Sequence, residues 1–186
     1  MPSEAELFLN KITGLFGVEN AIHKVDPMIE NGKPIYVFFY EDLPEKGKLT
    51  AITYGLSEAN HPDWKFGRPE LVVTLDTSDK AWGMAAGFLA SQYQGEKPFR
   101  YGDLYTLDGP VSDESEMVGY LVFAPSFLNQ EQAKIELSEK TIYLTGMYPV
   151  YKEEIDLYHK IGLEKFWHSD GFDMYDVHRQ NIALYQ

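Results

Sequence analysis

Between Ile52 and Leu75 the chain reads ITYGLSEANHPDWKFGRPELVVTL, two apolar runs on either side of a segment full of turn formers. Val, Ile, Thr and Tyr suit a pleated, half-buried surface, whereas Asn60, Pro62, Gly67 and Pro69 interrupt regular structure. The stretch predicts strand, exposed loop, strand. Leu71, Val73 and Leu75 alternate with Glu70, Val72 and Thr74, as in a strand with one fully buried face. Two such strands commit the fold to a sheet, and the rest of the chain must cover it.

The remaining elements follow from spacing. Ser3 and Glu6 form a capping box, and Phe8, Ile12, Leu15 and Phe16 recur at helical intervals, so residues 3–16 read as a helix that frays or ends near Gly14 and Gly17. Tyr36 to Tyr40, YVFFY, is short, aromatic and preceded by Gly32 and Pro34, which predicts a strand buried on both faces. The turn LPEKGK at 43–48 joins it to Leu49–Leu56 as a hairpin. Beyond Leu75, Asp76 or Ser78 is placed to cap a helix with Asp79 in its first turn. Trp82, Ala85, Ala86, Leu89 and Tyr93 give this helix an apolar stripe that Met84 and Phe88 widen, and Gly95 and Pro98 end it.

The segment from Tyr101 through the acidic run Ser112 to Glu116 is expected to be exposed. Met117–Ala124 reads as a strand, and Ile135–Leu137 with Thr141–Tyr148 as a hairpin. A helix follows over Tyr151–Trp167, with Ile155, Tyr158, Ile161 and Phe166 facing inward. Its Glu153, Glu154 and Asp156 are accounted for by the helix dipole. The expected architecture is α/β mixed, of the α+β type: a central mixed, largely antiparallel sheet with helices packed on it. It forms one domain over 1–186, with the N-terminal helix at 3–16, a core at about 35–168 and a tail at 169–186.

With 44% hydrophobic and 15% aromatic residues among 186, the chain has material for a core, which excludes global disorder. The acidic N-terminus MPSEAELF lacks the basic-then-apolar order of a signal peptide, and Ala81–Ala90 is too short to span a membrane, so a cytoplasmic location is expected. Without cysteine there are no disulfides, thiol nucleophiles or zinc–thiolate sites. The formal net charge of −13 repels phosphates and speeds encounter with basic proteins, which argues against direct nucleic-acid binding. Acidity serving solubility alone is the plainer alternative.

Motifs for catalysis are few. Trp167-His168-Ser169-Asp170 holds the residue types of a hydrolase triad, yet sequence neighbours cannot place the base between two groups brought from separate places. No nucleophile elbow, phosphate-cradling loop or HExxH occurs. Asp173, Asp176 and His178 match no metal spacing, so neither metal nor cofactor is expected. The central loop carries His61, Asp63 and Trp64, a composition suited to a protein contact; Trp64 either buries itself on a partner or folds back onto the core.

Thr53-Tyr54-Gly55-Leu56-Ser57, the loop, Pro69-Glu70-Leu71-Val72-Val73-Thr74-Leu75 and Trp82 opening a helix together resemble the suppressor of fused domain. Gly102-Asp103, Met147-Tyr148-Pro149-Val150 and Glu153-Glu154 extend the resemblance, which runs from about Ile35 to the region of Arg179. It implies a single mixed α/β domain without enzymatic activity that binds other proteins. Eukaryotic relatives use a second domain to clamp a short peptide of a zinc-finger transcription factor as an added strand. In them an aromatic residue on the YGLS strand and an acid in the next loop help hold the peptide. Ala51 stands at the aromatic position, a departure, and Asp63 is the counterpart of the acid. Compact members resemble bacterial proteins that include immunity proteins, and a charge of −13 suits one that neutralises a basic toxin.

The residues expected to meet a partner are Tyr54, Ser57, His61, Asp63, Trp64 and Glu70. Two readings of other classes stand beside this one: a hydrolase-type enzyme working through Glu70, Asp103 or Asp173 in a pocket, and a homo-oligomeric structural protein using an exposed strand edge.

Overall fold

A computed structural model describes residues 1–185. The elements, in chain order, are α1 (Glu4–Phe16), β1 (Ala21–Val25), β2 (Ile35–Glu41), β3 (Leu49–Tyr54), β4 (Arg68–Leu75), α2 (Ala81–Tyr93), β5 (Leu104–Thr106), β6 (Gly119–Phe123), α3 (Gln130–Ala133), β7 (Lys134–Glu136), β8 (Thr141–Val150) and α4 (Lys152–Trp167). Short 3-10 turns lie at Leu56–Glu58 and Ile182–Leu184. The strands form one sheet in the order β1-β2-β3-β4-β8-β6-β5, with β7 paired to β8. Only the β4–β8 pairing is parallel; the others run antiparallel, giving the α+β sheet that the sequence implies.

Both faces of this sheet are covered. On one, α2 lies against Val37, Phe39, Ala51, Leu71, Val73 and Met147. The contact is close because Gly83 has no side chain: a Cβ there would fall 2.5 Å from the Cβ of Ala51 and from the Phe39 ring. On the other face, Phe8 and Ile12 of α1 cover Phe38, Ile52, Val72 and Leu144, while Phe166 of α4 packs with Leu121 and Val150. Strand β4 is therefore buried on both faces along nearly its whole length, rather than on the one face that alternation suggests. Alternation marks sides of the strand; it does not reveal that Val72 is covered by a helix from another part of the chain or that Glu70 is enclosed by the turn after β3.

The capping box at Ser3 forms as expected, with Glu6 N donating to Ser3 Oγ at 3.2 Å and Ser3 N to Glu6 Oε2 at 2.7 Å. Leu15, read as inward-facing, is instead 41% exposed in the last turn of α1. Strand β1 has no counterpart in the sequence reading. Its AIHKV lacks clear alternation, and it exists through its pairing with β2. The start of α2 is held by Asp79, whose Oδ1 accepts from Ala81 N at 2.9 Å, and not by Asp76 or Ser78.

The expectation that the acidic run is exposed fails in part, and the tail too is partly buried. In the acidic run, Ser112 is buried and Glu114 accepts at 2.7 Å from the indole N–H of Trp82, which is itself buried and needs an acceptor. In the tail, Val177, Arg179 and Ile182 are buried, whereas Gln186 lies outside the described residues. Arg179 is 5% exposed and donates from Nη1 and Nη2 to Glu154, at 2.5 and 2.7 Å, and from Nη2 to Pro149 O at 3.0 Å. Glu154, fully buried, also accepts from Ile182 N and from Tyr151 N, each at 3.0 Å. One carboxylate thus caps α4 and fastens the last segment of the chain, a role beyond the dipole that the sequence suggests for it.

Removing one partner of a buried ion pair strands the other charge. Glu154→Ala is expected to cost about 3 kcal/mol or more by this mechanism, measured as a fall in the urea unfolding midpoint. A surface substitution such as Glu153→Ala, tested beside it, should change the midpoint far less.

Candidate partner-binding site

Everything the sequence singles out around the central loop hangs on Glu70. This residue is fully buried in β4 with four donors converging on its carboxylate: Thr53 Oγ1 at 2.6 Å, Gly55 N at 2.8 Å, Ser57 N at 2.9 Å and Ser57 Oγ at 2.7 Å. Thr53 Oγ1 also accepts from Leu71 N at 2.8 Å, so the same hydroxyl ties β3 to β4. Gly55 adopts φ 129°, and a Cβ there would meet Pro34 O at 2.4 Å, so only glycine fits this turn. The run TYGLS is thereby explained locally: Thr and Ser feed the carboxylate, Gly makes the turn and Leu56 enters the core. Burial pushes the Glu70 carboxyl up from its usual range, against the donors, which favour the charged form.

Of the six residues expected to meet a partner, three are thus built into the scaffold. Ser57 and Glu70 are fully buried and Tyr54 is 6% exposed, its hydroxyl donating to Glu58 at 2.7 Å. Burial raises the Tyr54 phenol, helped by that carboxylate. These residues shape the loop from beneath. The loop itself carries the other three. Trp64 folds back onto the core, its indole N–H donating to Pro98 O at 2.8 Å, and His61 lies over it with ring centroids 5.6 Å apart. Asp63 stays exposed, 3.4 Å from Arg100. Arg68 pins the loop base, donating to Ser57 O at 2.8 Å and to Asn60 Oδ1.

Several contributors are invisible in the sequence pattern. Phe66, at the loop tip, is 88% exposed. Beside it a recess of about 270 Å³ is lined by Trp64, Pro98, Arg100, Tyr101 and Tyr143. A neighbouring recess of about 380 Å³ shares Tyr101 and Tyr143 and continues to Leu128 and Leu144. They meet where β8 is interrupted along one edge: β7 pairs with residues 141–143 and β6 with 146–150, leaving Leu144 and Thr145 without a strand partner on that side. No local signal announces such a gap, because it arises where two strands distant in sequence happen to stop.

The carboxylates proposed for catalysis are dispersed and engaged. Glu70 is sealed in the sheet, Asp103 accepts from Arg100 N at 2.8 Å, and Asp173 accepts from Tyr175 N at 2.9 Å. Among the described residues no three acidic or histidine side chains gather as a metal site. Asp173, Asp176 and His178 lie in a loop where Asp176 accepts from His178 N at 2.7 Å. No helix among the described residues is long and apolar enough to cross a membrane.

This sheet and the helices packed on it have the fold of suppressor of fused proteins. The family model described as Suppressor of fused protein (SUFU) matches residues 31–180, and the chain belongs to that family. A SUFU homologue from Neisseria gonorrhoeae FA 1090 superposes with a TM-score of 0.72 at 15% identity, over 97% of this chain and 96% of that one. The structure of the Sufu–Fu complex matches with a TM-score of 0.65 at 14% identity, over 96% of this chain and 91% of its own. Drosophila Suppressor of Fused gives a TM-score of 0.65 at 13% identity; 96% of this chain covers 51% of it, about half its length. No curated protein matches the chain in sequence.

Glu70→Ala removes the acceptor of four buried donors and is expected to cost about 3 kcal/mol in urea unfolding. Glu70→Gln tests the charge. With the folded carboxyl raised above its ordinary value of 4.5, the native state holds, between that value and the raised one, a proton that the unfolded chain has released. The resulting stability is complete below that ordinary value and is lost as pH rises through the folded one. The stability difference between wild type and Glu70→Gln should accordingly shrink from acid to neutral pH, and a pH-independent difference would contradict the raised value.

Proposed function

We propose that this chain is a non-catalytic protein-binding module for a basic protein and, at finer grain, a bacterial-type immunity protein that neutralises a basic toxin in the cytoplasm. The observation that carries this reading is the net charge of −13 on a member of the SUFU family. A fold neighbour crystallised as a Sufu–Fu complex supports protein binding as the mode of action. An acidic surface accelerates encounter with a basic partner and makes the association sensitive to salt. The engagement of Glu70, Asp103 and Asp173 in backbone hydrogen bonds favours binding over turnover.

The contact surface in this proposal is the loop from Ala59 to Gly67 with the aromatic recess beside it. Asp63 and Phe66 are exposed on it, beside Asn60, Pro62 and Lys65, while Trp64 and His61 keep it in shape. A large exposed aromatic side chain next to an apolar recess is the sort of anchor that concentrates binding energy.

The test is affinity capture from the native cytoplasm at low and moderate salt, with Asp63→Asn/Phe66→Ser as the comparison. A basic protein should be retained at low salt, released as salt rises, and lost in the variant. Failure of the wild type to retain any protein across the salt range would count decisively against the reading.

A further inference from the structure

At the far edge of the sheet from β1, β5 ends the strand order, and its outer side faces no other strand. Val122 N donates to Asp103 O at 2.9 Å and Leu107 N donates to Val118 O at 2.8 Å, while Tyr105 stands opposite Tyr120. In an antiparallel pair the bonded residues alternate. Bonding at 103, 105 and 107 therefore turns the N–H and C=O groups of Leu104 and Thr106 outward. Next to this edge lies a recess of about 410 Å³ between the end of β5 and the start of α4, with Leu107, Val118 and Ile155 as its apolar lining. Asp108 and Asp156 stand on its rim, both exposed. Neither forms an ion pair among the described residues, although Lys152 shares the rim.

We propose that the β5 edge is a second contact surface of this module, taking an extended, basic segment of a partner protein as an added strand. The inference rests on the reading of the chain as a binder of basic proteins and adds where a segment of the partner lies. Each feature selects something different. The outward backbone groups of Leu104 and Thr106 select an extended chain. The apolar recess selects one hydrophobic side chain. Asp108 and Asp156, with no basic partner of their own, select cationic side chains flanking it, because each meets a charge that offsets its own without breaking an existing pair. A second copy of this chain fits poorly, since two bodies of charge −13 repel one another at close approach.

The test uses defined peptides and the full chain. The protein labelled with ¹⁵N is titrated with acetylated, amidated Arg-Val-Arg-Val-Arg and, separately, with Glu-Val-Glu-Val-Glu, while amide shifts and hydrogen exchange are followed. The expected result is saturable binding of the basic peptide alone, with the largest shifts and new exchange protection at Leu104 and Thr106. Asp108→Asn/Asp156→Asn should weaken it by about tenfold or more. Thr106→Pro, which removes an outward N–H from an edge strand, should abolish the exchange protection with an unchanged unfolding midpoint. Saturable binding with shifts centred elsewhere, such as the loop from Ala59 to Gly67, would overturn this placement while leaving the basic-partner reading standing. Equal binding of both peptides, or none, would also overturn it, whereas the general reading is decided by cytoplasmic capture.

Discussion

The rest of this structure depends on a carboxylate buried in the centre of a sheet without a cation beside it. Glu70 is held by hydrogen bonds alone, from two hydroxyls and two backbone amides. Such a group is costly to bury unless its lone pairs are filled, and here the donors all come from the five residues Thr53 to Ser57. That requirement joins β3 to β4, forces the chain to turn at Gly55 and delivers the following loop to the surface. The loop can vary in what it presents because its base does not depend on it.

Glu154 solves the same physical problem in the first turn of α4 by other means. Its charge is met by Arg179, whose guanidinium also lies 4.8 Å from the Phe172 ring and 5.4 Å from that of Tyr151. The two glutamates divide the architecture between them: one shapes a turn formed by neighbours in sequence, the other binds the end of the chain to a helix that precedes it. The chain's last turns thereby help close the cores on both faces, with Val177 in the cluster under α2 and Ile182 in the one under α4. The outline of the sheet leaves two stretches of strand edge unpaired among the described residues, one at the interruption of β8 and one along β5.

What could be read in advance was what neighbours in sequence decide. The capping box at Ser3, the aromatic strand around Phe38, the stripe on α2 and the turn-rich loop between β3 and β4 all rest on periodicity or local hydrogen bonding. The family resemblance was carried by the order and spacing of several short motifs, from Thr53–Ser57 and Pro69–Leu75 through Trp82 to Met147–Val150 and Glu153-Glu154, none of them specific alone. Strand β1 escaped because its apolar content is too slight to show alternation, and the acidic run at 112–116 escaped because its composition is that of a surface. Trp82, 32 residues away, and Thr77, 37 away, supply the donors that hold Glu114.

The candidate site divides along the same line. Residue types along the central loop showed that aromatic and charged groups share a turn-rich segment. Whether each faces solvent was decided by elements far away: Pro98 draws Trp64 inward, α1 and α2 seal the strand that carries Glu70, and Arg100 meets Asp63. The sequence by itself determined the α+β class, the turn and the charge, because these are properties of composition and of residues a few positions apart. Tertiary structure alone decided which carboxylates are buried and where the sheet leaves an open edge. Both depend on which distant segments stop short of one another, and no local pattern records that.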